Sequence, residues 1–238
     1  MPLYRDQGVV LRTIKLGETD RIVTVLSQGH GKVRAVAKGI RRPGSRFGAR
    51  LEPTVHVAFQ CYEGRELDVV TQAETIDANR ALREHYASLT HAISMLEAVD
   101  QSTPEREPNV ALYRMLVGAL RTLATTPSPV VSTAFFWKLL SLEGLQPVLD
   151  ECVHCGSNEA LVAFHSFDGG VLCAGCARLG GRPVAGETLA ALRRILGGDI
   201  RGVLAAPPES KVLGEIERLA LDALEAHLER RLRSAALL

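Results

Sequence analysis

The sequence lacks the long apolar stretches that membranes and secretion require. In 238 residues no hydrophobic run approaches the ~18 residues of a membrane-spanning helix. The amino-terminal segment MPLYRDQGVV has no hydrophobic core of the kind found in secretory signals. We therefore expect a cytoplasmic protein that contacts no membrane.

Signatures of catalysis are also missing. The motifs H-E-x-x-H and G-x-S-x-G do not occur, and Leu26 and Val33 stand where a phosphate-binding loop around QGHGK would need Gly and Ser or Thr. Glu18 and Asp20 in LGETD resemble the carboxylate pair of a metal-dependent nuclease, but no third acidic residue lies near them in sequence. We interpret this pair as part of a turn and predict that the protein is not an enzyme.

Aromatic residues are scarce, at 5% of the chain, which is little for a surface that stacks nucleotide bases. Charge, by contrast, is abundant and unevenly placed. Residues 1–50 hold 11 Lys or Arg against 3 Asp or Glu, whereas the whole chain has a net charge of only +1. A cationic amino-terminal part on an otherwise acidic molecule suggests a polyanionic partner.

Alternating apolar residues predict five short strands in the first ~76 residues. In GKVRAVAKG the apolar residues Val33, Ala35 and Ala37 share one face, and in TVHVAFQCY the inward set ends at Cys61, which we expect to be buried and unreactive. Tight-turn residues in QGHG and YEGRE separate the strands. Five such strands suit an OB-fold barrel, although an SH3-like barrel would give almost the same pattern.

After Ile76 the apolar period changes to that of helices, with predicted helices over 81–100, 110–125, 129–143, 187–198 and 210–234. Ser128 and Pro129 have the sequence of a helix start. We therefore predict an α+β protein with two domains. An OB-fold nucleic-acid-binding domain spans 1–78, and a helical domain spans 79–238, with a zinc-binding insertion at about 150–178.

Four of the five cysteines form the pattern C-x2-C-x17-C-x2-C, namely Cys152, Cys155, Cys173 and Cys176. This spacing is typical of a structural zinc site with four thiolates, and a redox pair or disulfides are the alternatives. His154 and His165 lie nearby but are not needed as ligands. We predict one structural Zn2+ per chain in a knuckle closed by a short hairpin.

The segment KGIRRPGSRFGAR holds five cations and no carboxylate. Together with the third strand it offers seven candidate contacts to a phosphate backbone: Lys32, Arg34, Lys38, Arg41, Arg42, Arg46 and Arg50. Phe47 is the one aromatic side chain in the segment, so we expect contacts to phosphates with weak sequence preference. Arg230, Arg231 and Arg233, placed at the end of the last predicted helix, form a second basic cluster.

The stretch LGETDRIVTVLSQGHGKVRAVAKGIRRPGSRFGARLEP resembles the amino-terminal domain of the RecO family of bacterial recombination mediators, and LEGLQPVLDECVHCG with GGVLCAGC resembles its zinc-bearing segment. The resemblance implies a non-enzymatic, nucleoid-associated DNA repair factor that binds single- and double-stranded DNA and anneals complementary strands. It further implies that the protein acts with RecR to help load RecA onto DNA coated by single-stranded DNA-binding protein, whose acidic C-terminal tail it contacts. By position, the DNA-binding role falls on the seven cations and the zinc role on the four cysteines.

Two other functions stay open from the residues alone. A barrel with a zinc knuckle is also typical of RNA-binding or ribosome-associated factors, and Glu18 with Asp20 leaves a metal-dependent nuclease as a more distant alternative.

Overall fold

The computed structural model describes residues 2–238, apart from the side chains of Leu179 and Leu237. Its first part is a closed barrel with the strand order β1-β2-β3-β5-β4. The strands are β1 Leu3–Leu16, β2 Asp20–Ser27, β3 Gly31–Ala37, β4 His56–Tyr62 and β5 Asp68–Asp77. All neighbours are antiparallel except β3 and β5, which pair in parallel at two positions. The predicted five-stranded OB-fold barrel is therefore confirmed.

Alternation of side chains fills the barrel, as the sequence pattern predicts. Strands β2, β3 and β4 contribute alternate residues to one buried cluster, which includes Val23, Val25, Ala35, Ala37, Val57, Phe59 and Cys61. The long strand β1 changes register between Val10 and Arg12, and a bulge of this kind bends a strand. The bend lets one strand pair with β4 through its first half and with β2 through its second half.

Three helices follow the barrel: α1 Arg80–Glu84, α2 Tyr86–Ser102 and α3 Val110–Thr125. The single helix predicted over 81–100 is divided, because His85 adopts an extended conformation with φ −124° and ψ 114° between α1 and α2. The helix predicted over 110–125 has the observed bounds of α3. Both α2 and α3 pack against β1, so helices cover part of the outer face of the barrel.

The remaining chain combines helices with a small sheet. Its elements are α4 Pro129–Leu142, β6 Leu161–His165, β7 Gly170–Cys173, β8 Arg182–Pro183, α5 Gly186–Leu196, α6 Ile200–Ala205 and α7 Ser210–Leu228. Helix α4 begins as predicted, because the Ser128 hydroxyl accepts a hydrogen bond from the Val130 N–H and Pro129 takes the first helical position. Helix α7 ends at Leu228, whereas the sequence predicts a helix that continues to Ser234. Glu229 is left-handed with φ 50°, so the cluster beginning at Arg230 lies beyond the helix.

The chain forms two compact units, one running to Pro127 and the other covering Ser128–Ala236. Helices α1 to α3 thus belong with the barrel. The functional boundary between residues 78 and 79 stays a prediction. Among the described residues, no helix combines the length and the apolar character needed to span a bilayer.

Candidate nucleic-acid interface and metal centre

The basic segment, residues 38–50, forms a loop between β3 and β4 that we call the basic loop. Ile40 and Phe47 point into the barrel core, together with Leu51 from the 3-10 turn Gly48–Leu51 that ends the loop. Phe47 is only 1% exposed, so it is a core residue and offers no ring on which a base could stack. The loop is therefore fixed at its middle and at its end by apolar side chains.

Five cations of the basic loop are exposed, namely Lys38, Arg41, Arg42, Arg46 and Arg50. Arg41 donates from Nη1 to the Glu18 carbonyl at 2.9 Å, and its backbone N–H donates to the Thr19 carbonyl at 2.9 Å. These bonds attach the start of the loop to the turn between β1 and β2. The loop cations are thus presented to solvent from a backbone with a defined position.

Asp20 has a structural task in this arrangement. Its Oδ1 accepts hydrogen bonds from the Gly39 N–H at 2.7 Å and from the Thr19 hydroxyl at 2.8 Å. The Gly39 N–H, followed by the Thr19 hydroxyl, lowers the pKa of Asp20. These contacts favour the turn interpretation of LGETD, in which Asp20 holds the loop backbone next to β2.

The other two predicted cations, Lys32 and Arg34, lie on the outward side of β3 but are paired with carboxylates. Lys32 Nζ lies 2.5 Å from the Asp100 carbonyl oxygen and 3.5 Å from Asp100 Oδ1, and its side chain is only 12% exposed. Arg34 Nη1 lies 3.3 Å from Glu105 Oε1. The seven predicted cations therefore fall into five that face solvent and two that are held by acidic partners.

The acidic partners come from the end of α2 and the segment after it, whose sequence resembles a simple linker. Glu105 forms a parallel bridge with Lys32, and the Arg106 N–H donates to the Lys32 carbonyl at 3.0 Å. Gly31 has φ 68°, and a Cβ there would come within 2.2 Å of the Glu107 carbonyl oxygen. A glycine at this turn is therefore the feature of the sequence from which a close backbone approach could have been predicted.

Arg106 anchors the same segment to the barrel. Its Nη2 lies 2.6 Å from Oδ1 of Asp68, a carboxylate without solvent exposure that also accepts hydrogen bonds from the Tyr4 hydroxyl and the Gly64 N–H. Burial, followed by the bond to Asp68, raises the pKa of Tyr4. Cys61 lies in the same region of the core, and burial raises its pKa to about 12, as expected for an unreactive thiol.

The four cysteines of the predicted metal site lie together in the second unit. Their sulfur atoms are all within 4.8 Å of one another, and Cys155 Sγ is 3.6 Å from Cys173 Sγ. Tetrahedral thiolates at a Zn–S distance of about 2.3 Å would stand about 3.8 Å apart. The donor set and its spacing therefore fit a four-coordinate metal ion of the size of zinc.

Local backbone turns place the sulfur atoms. The Gly156 N–H donates to the Cys152 carbonyl at 2.8 Å, and the Cys176 N–H donates to the Cys173 carbonyl at 3.0 Å, so each C-x-x-C pair closes a turn. Strands β6 and β7 form the predicted hairpin between the two turns. Backbone N–H groups, that of Cys173 foremost, lower the pKa of Cys152, whereas the hydrogen bond with the Cys155 thiol raises the pKa of Cys176.

The two nearby histidines are engaged elsewhere. His154 Nε2 lies 2.8 Å from Asp168 Oδ2, and His165 Nδ1 lies 3.0 Å from the same oxygen. Among the described residues, the group close enough to hold a metal ion consists of the four cysteines alone. That neither histidine is a ligand stays a prediction.

Comparison with known proteins covers both parts of the chain. The family model described as Recombination protein O N terminal matches residues 1–79, and Recombination protein O C terminal matches residues 83–236. A DNA repair protein RecO from Cutibacterium acnes is 48% identical over 207 residues, covering 84% of each chain. Proteins of the same name from Nocardioides sp. and Frankia casuarinae are 43% and 42% identical over 242 and 238 residues, covering at least 97% of each chain.

Proposed function

The chain belongs to the RecO family of DNA repair proteins, and from this premise we propose that it is a DNA-binding mediator of recombinational repair without catalytic activity. The observation that carries the proposal is the basic loop, with five exposed cations on a backbone that core residues fix. Such cations bind phosphates and release condensed counterions. Because phosphates carry no sequence information directly, the protein binds single- and double-stranded DNA with weak sequence preference.

Annealing of complementary strands follows from the same chemistry. Two strands repel each other through their phosphates, and a cationic surface lowers this repulsion while it raises the local concentration of both strands. Contacts to phosphates leave the pairing edges of the bases free. The basic loop, residues 38–50, is therefore suited to bring strands together without an energy source such as nucleotide hydrolysis.

The partners that we propose rest on family membership. The protein acts in the cytoplasm at the nucleoid, and with RecR it helps to load RecA onto DNA coated by single-stranded DNA-binding protein. It also contacts the acidic C-terminal tail of that coating protein, for which a cationic surface is complementary.

We also propose that Cys152, Cys155, Cys173 and Cys176 hold one zinc ion, since four closely placed sulfur donors suit this metal. Four thiolates complete the coordination shell of the zinc ion. The bound ion would therefore cross-link the local fold and would have no open position for a substrate. The cysteines therefore connect two turns that lie 18 residues apart along the chain, at Cys155 and Cys173.

The proposal is tested by annealing of complementary oligonucleotides with purified protein, with EDTA or with magnesium and no nucleotide. We expect protein-dependent annealing in both conditions, intact strands, and DNA binding at least as strong as RNA binding. Cleavage that requires magnesium and disappears on Asp20→Asn would instead establish the nuclease alternative. A clear preference for RNA, without annealing of DNA, would establish the RNA-binding alternative.

A further inference from the structure

A segment rich in carboxylates lies beside the barrel between α2 and α3. It consists of residues 100–107, from the last turn of α2 onward, and we call it the acidic strap. Strand β5 pairs with β3 at Ala35 and Val36, and the strap takes the corresponding place at the beginning of β3, where Glu105 forms a parallel bridge with Lys32. The strap therefore covers a strand edge that would otherwise offer unpaired backbone groups.

Three cations point outward from the strands next to the acidic strap. Arg12 and Arg34 are both opposite Thr24 in the strand register, and Lys32 precedes Arg34 by two residues on the same face of β3. Exposed Lys38 follows the end of β3, where the basic loop begins. If the three cations had no partners, they would extend the cationic surface of the basic loop across two strands of the barrel.

The acidic strap supplies a carboxylate to each of these cations. Asp100 Oδ2 lies 2.5 Å from Arg12 Nε, and Asp100 Oδ1 lies 3.5 Å from Lys32 Nζ. Glu105 Oε1 lies 3.3 Å from Arg34 Nη1. Carboxylate and phosphate oxygens are anionic acceptors for the same N–H donors, so the strap occupies the positions that phosphates of DNA would take.

The strap is fastened to the barrel by other contacts as well. Arg106 Nη2 lies 2.6 Å from Oδ1 of fully buried Asp68, and the Arg106 N–H donates to the Lys32 carbonyl at 3.0 Å. The side chains of Arg34 and Glu105, in contrast, are 35% and 46% exposed, and ion pairs with this exposure contribute little to stability. The pairing of Glu105 with Arg34 is therefore not what holds the strap in place.

We propose that Asp100 and Glu105 limit the DNA-binding surface, because they hold Arg12, Lys32 and Arg34 in place of phosphates. This role rests on the proposed DNA-binding function and adds the residues that restrain it. The two carboxylates also repel a phosphate backbone that approaches the beginning of β3. DNA contacts are thereby concentrated on the five exposed cations of the basic loop, and binding stays weak enough for an annealed duplex to be released.

The first test is the double variant Asp100→Asn and Glu105→Gln, which keeps the shape of both side chains. With three more cations free, the log–log salt slope on single strands should change from about −3.5 to about −5.6, at ~0.7 per contact. The variant should bind more tightly at low salt and release an annealed duplex more slowly. Its advantage in affinity over the unaltered protein should shrink about 20-fold between about 50 and 200 mM salt, as this difference in slope requires.

A control of equal charge is Glu66→Gln with Glu84→Gln. Both carboxylates are exposed, one in the turn between β4 and β5 and the other at the end of α1. Their removal raises the net charge by the same amount and frees none of the three cations. We expect the affinity of the control to stay within about twofold of the unaltered protein and its salt slope to be unchanged.

A smaller change tests one ion pair and decides the proposal if Asp100→Asn unfolds the barrel. Glu105→Gln alone should steepen the salt slope by ~0.7, because it frees Arg34. Adding Arg34→Ala should remove this gain, whereas Arg34→Ala in the unaltered protein should hardly change the slope, because Glu105 already holds that side chain. Melting temperatures establish that each variant is folded.

Several results would overturn the proposal. One is an equal gain in the strap variant and in the control, which would make affinity depend on overall charge. Others are an unchanged salt slope in folded Glu105→Gln, a gain that persists after Arg34→Ala, and a loss in the unaltered protein on Arg34→Ala as large as that for a cation of the basic loop. If the unaltered protein bound no DNA, the proposed function itself would fail, which is a different result from DNA binding that the strap does not limit.

Discussion

His56 shows how one buried polar residue ties stability to pH. It lies in β4 with 5% exposure, and its Nε2 is 2.7 Å from the Tyr113 hydroxyl of α3. Burial, with a smaller effect of the Arg121 charge, lowers the pKa of His56 below its usual 6.5. The unfolded chain therefore binds a proton near pH 6.5 that the folded protein does not bind. Stability is full above this pH and falls as the pH drops toward the folded pKa, by up to ~1.4 kcal/mol per pH unit.

Urea unfolding of the barrel unit at pH 7.5 and pH 5.5 measures this effect. His56→Gln should show a smaller loss of unfolding free energy between the two pH values than the unaltered protein, whatever its stability at pH 7.5. Exposed His85→Gln is the matched control and should keep the original pH dependence. If the His56 variant lost as much unfolding free energy as the unaltered protein, other groups would determine the pH dependence. His91 is one such group, because burial also lowers its pKa.

Individual residues also show what the sequence can and cannot predict. Alternation places Cys61 and Val57 inside the barrel, because a side-chain period of two is a local property of a strand. The same alternation places Lys32 outward, but only the tertiary structure brings Asp100 against it. Phe47 is buried although its loop is cationic, since its side chain belongs to the core cluster of the barrel. Contacts between residues distant in sequence are what the pattern leaves out.

The basic loop is the element on which DNA affinity should depend. Its five exposed cations predict a log–log salt slope of about −3.5 for single strands, at ~0.7 per contact. Changing Arg41, Arg42 and Arg46 together to alanine should bring the slope to about −1.5 and weaken binding to a similar degree for all sequences. Titrations of a fluorescent oligonucleotide at several salt concentrations measure both quantities.

A control of equal charge separates local contacts from net charge. Arg80, Arg83 and Arg114 are exposed on α1 and α3, and their replacement by alanine removes the same three charges away from the loop. We expect this control to leave the slope nearly unchanged. If both triple variants lowered the slope equally, DNA binding would depend on overall charge and not on the loop. Unchanged binding in the loop variant would direct attention to the cluster at Arg230.

Helix ends are predicted well where a local signal marks them. Ser128 and Pro129 start α4 as predicted. Helix α3 runs from Val110 to Thr125, which are also its predicted bounds. The break at His85 has no glycine or proline, so it follows from packing and not from propensity. The short helix α6 was not predicted, because six residues are too few to show a helical period.

At the scale of the whole molecule, the distribution of charge and cysteine corresponds to two compact units. The cationic first 50 residues lie in the unit that ends at Pro127, and the four clustered cysteines lie in the unit of Ser128–Ala236. The change from strand to helix near residue 76 is visible in the sequence. The sequence does not show that helices α1, α2 and α3 belong to the barrel unit, because this depends on which apolar faces pack together.

The cysteine cluster predicts that metal removal affects one unit more than the other. Elemental analysis should find one zinc ion per chain. Because a closed four-thiolate site is coupled to the folding of its own segment, removing the metal with a chelator should lower the melting temperature of the second unit and leave DNA binding by the barrel in place. Cys173→Ser should reproduce this loss, whereas Cys61→Ala, in the barrel core, should keep one zinc per chain.

Purified protein with fully reduced thiols, native stability and no bound zinc would contradict the assignment. Loss of zinc in the Cys61 variant would contradict the assignment of the ligands, since Cys61 lies outside the cluster.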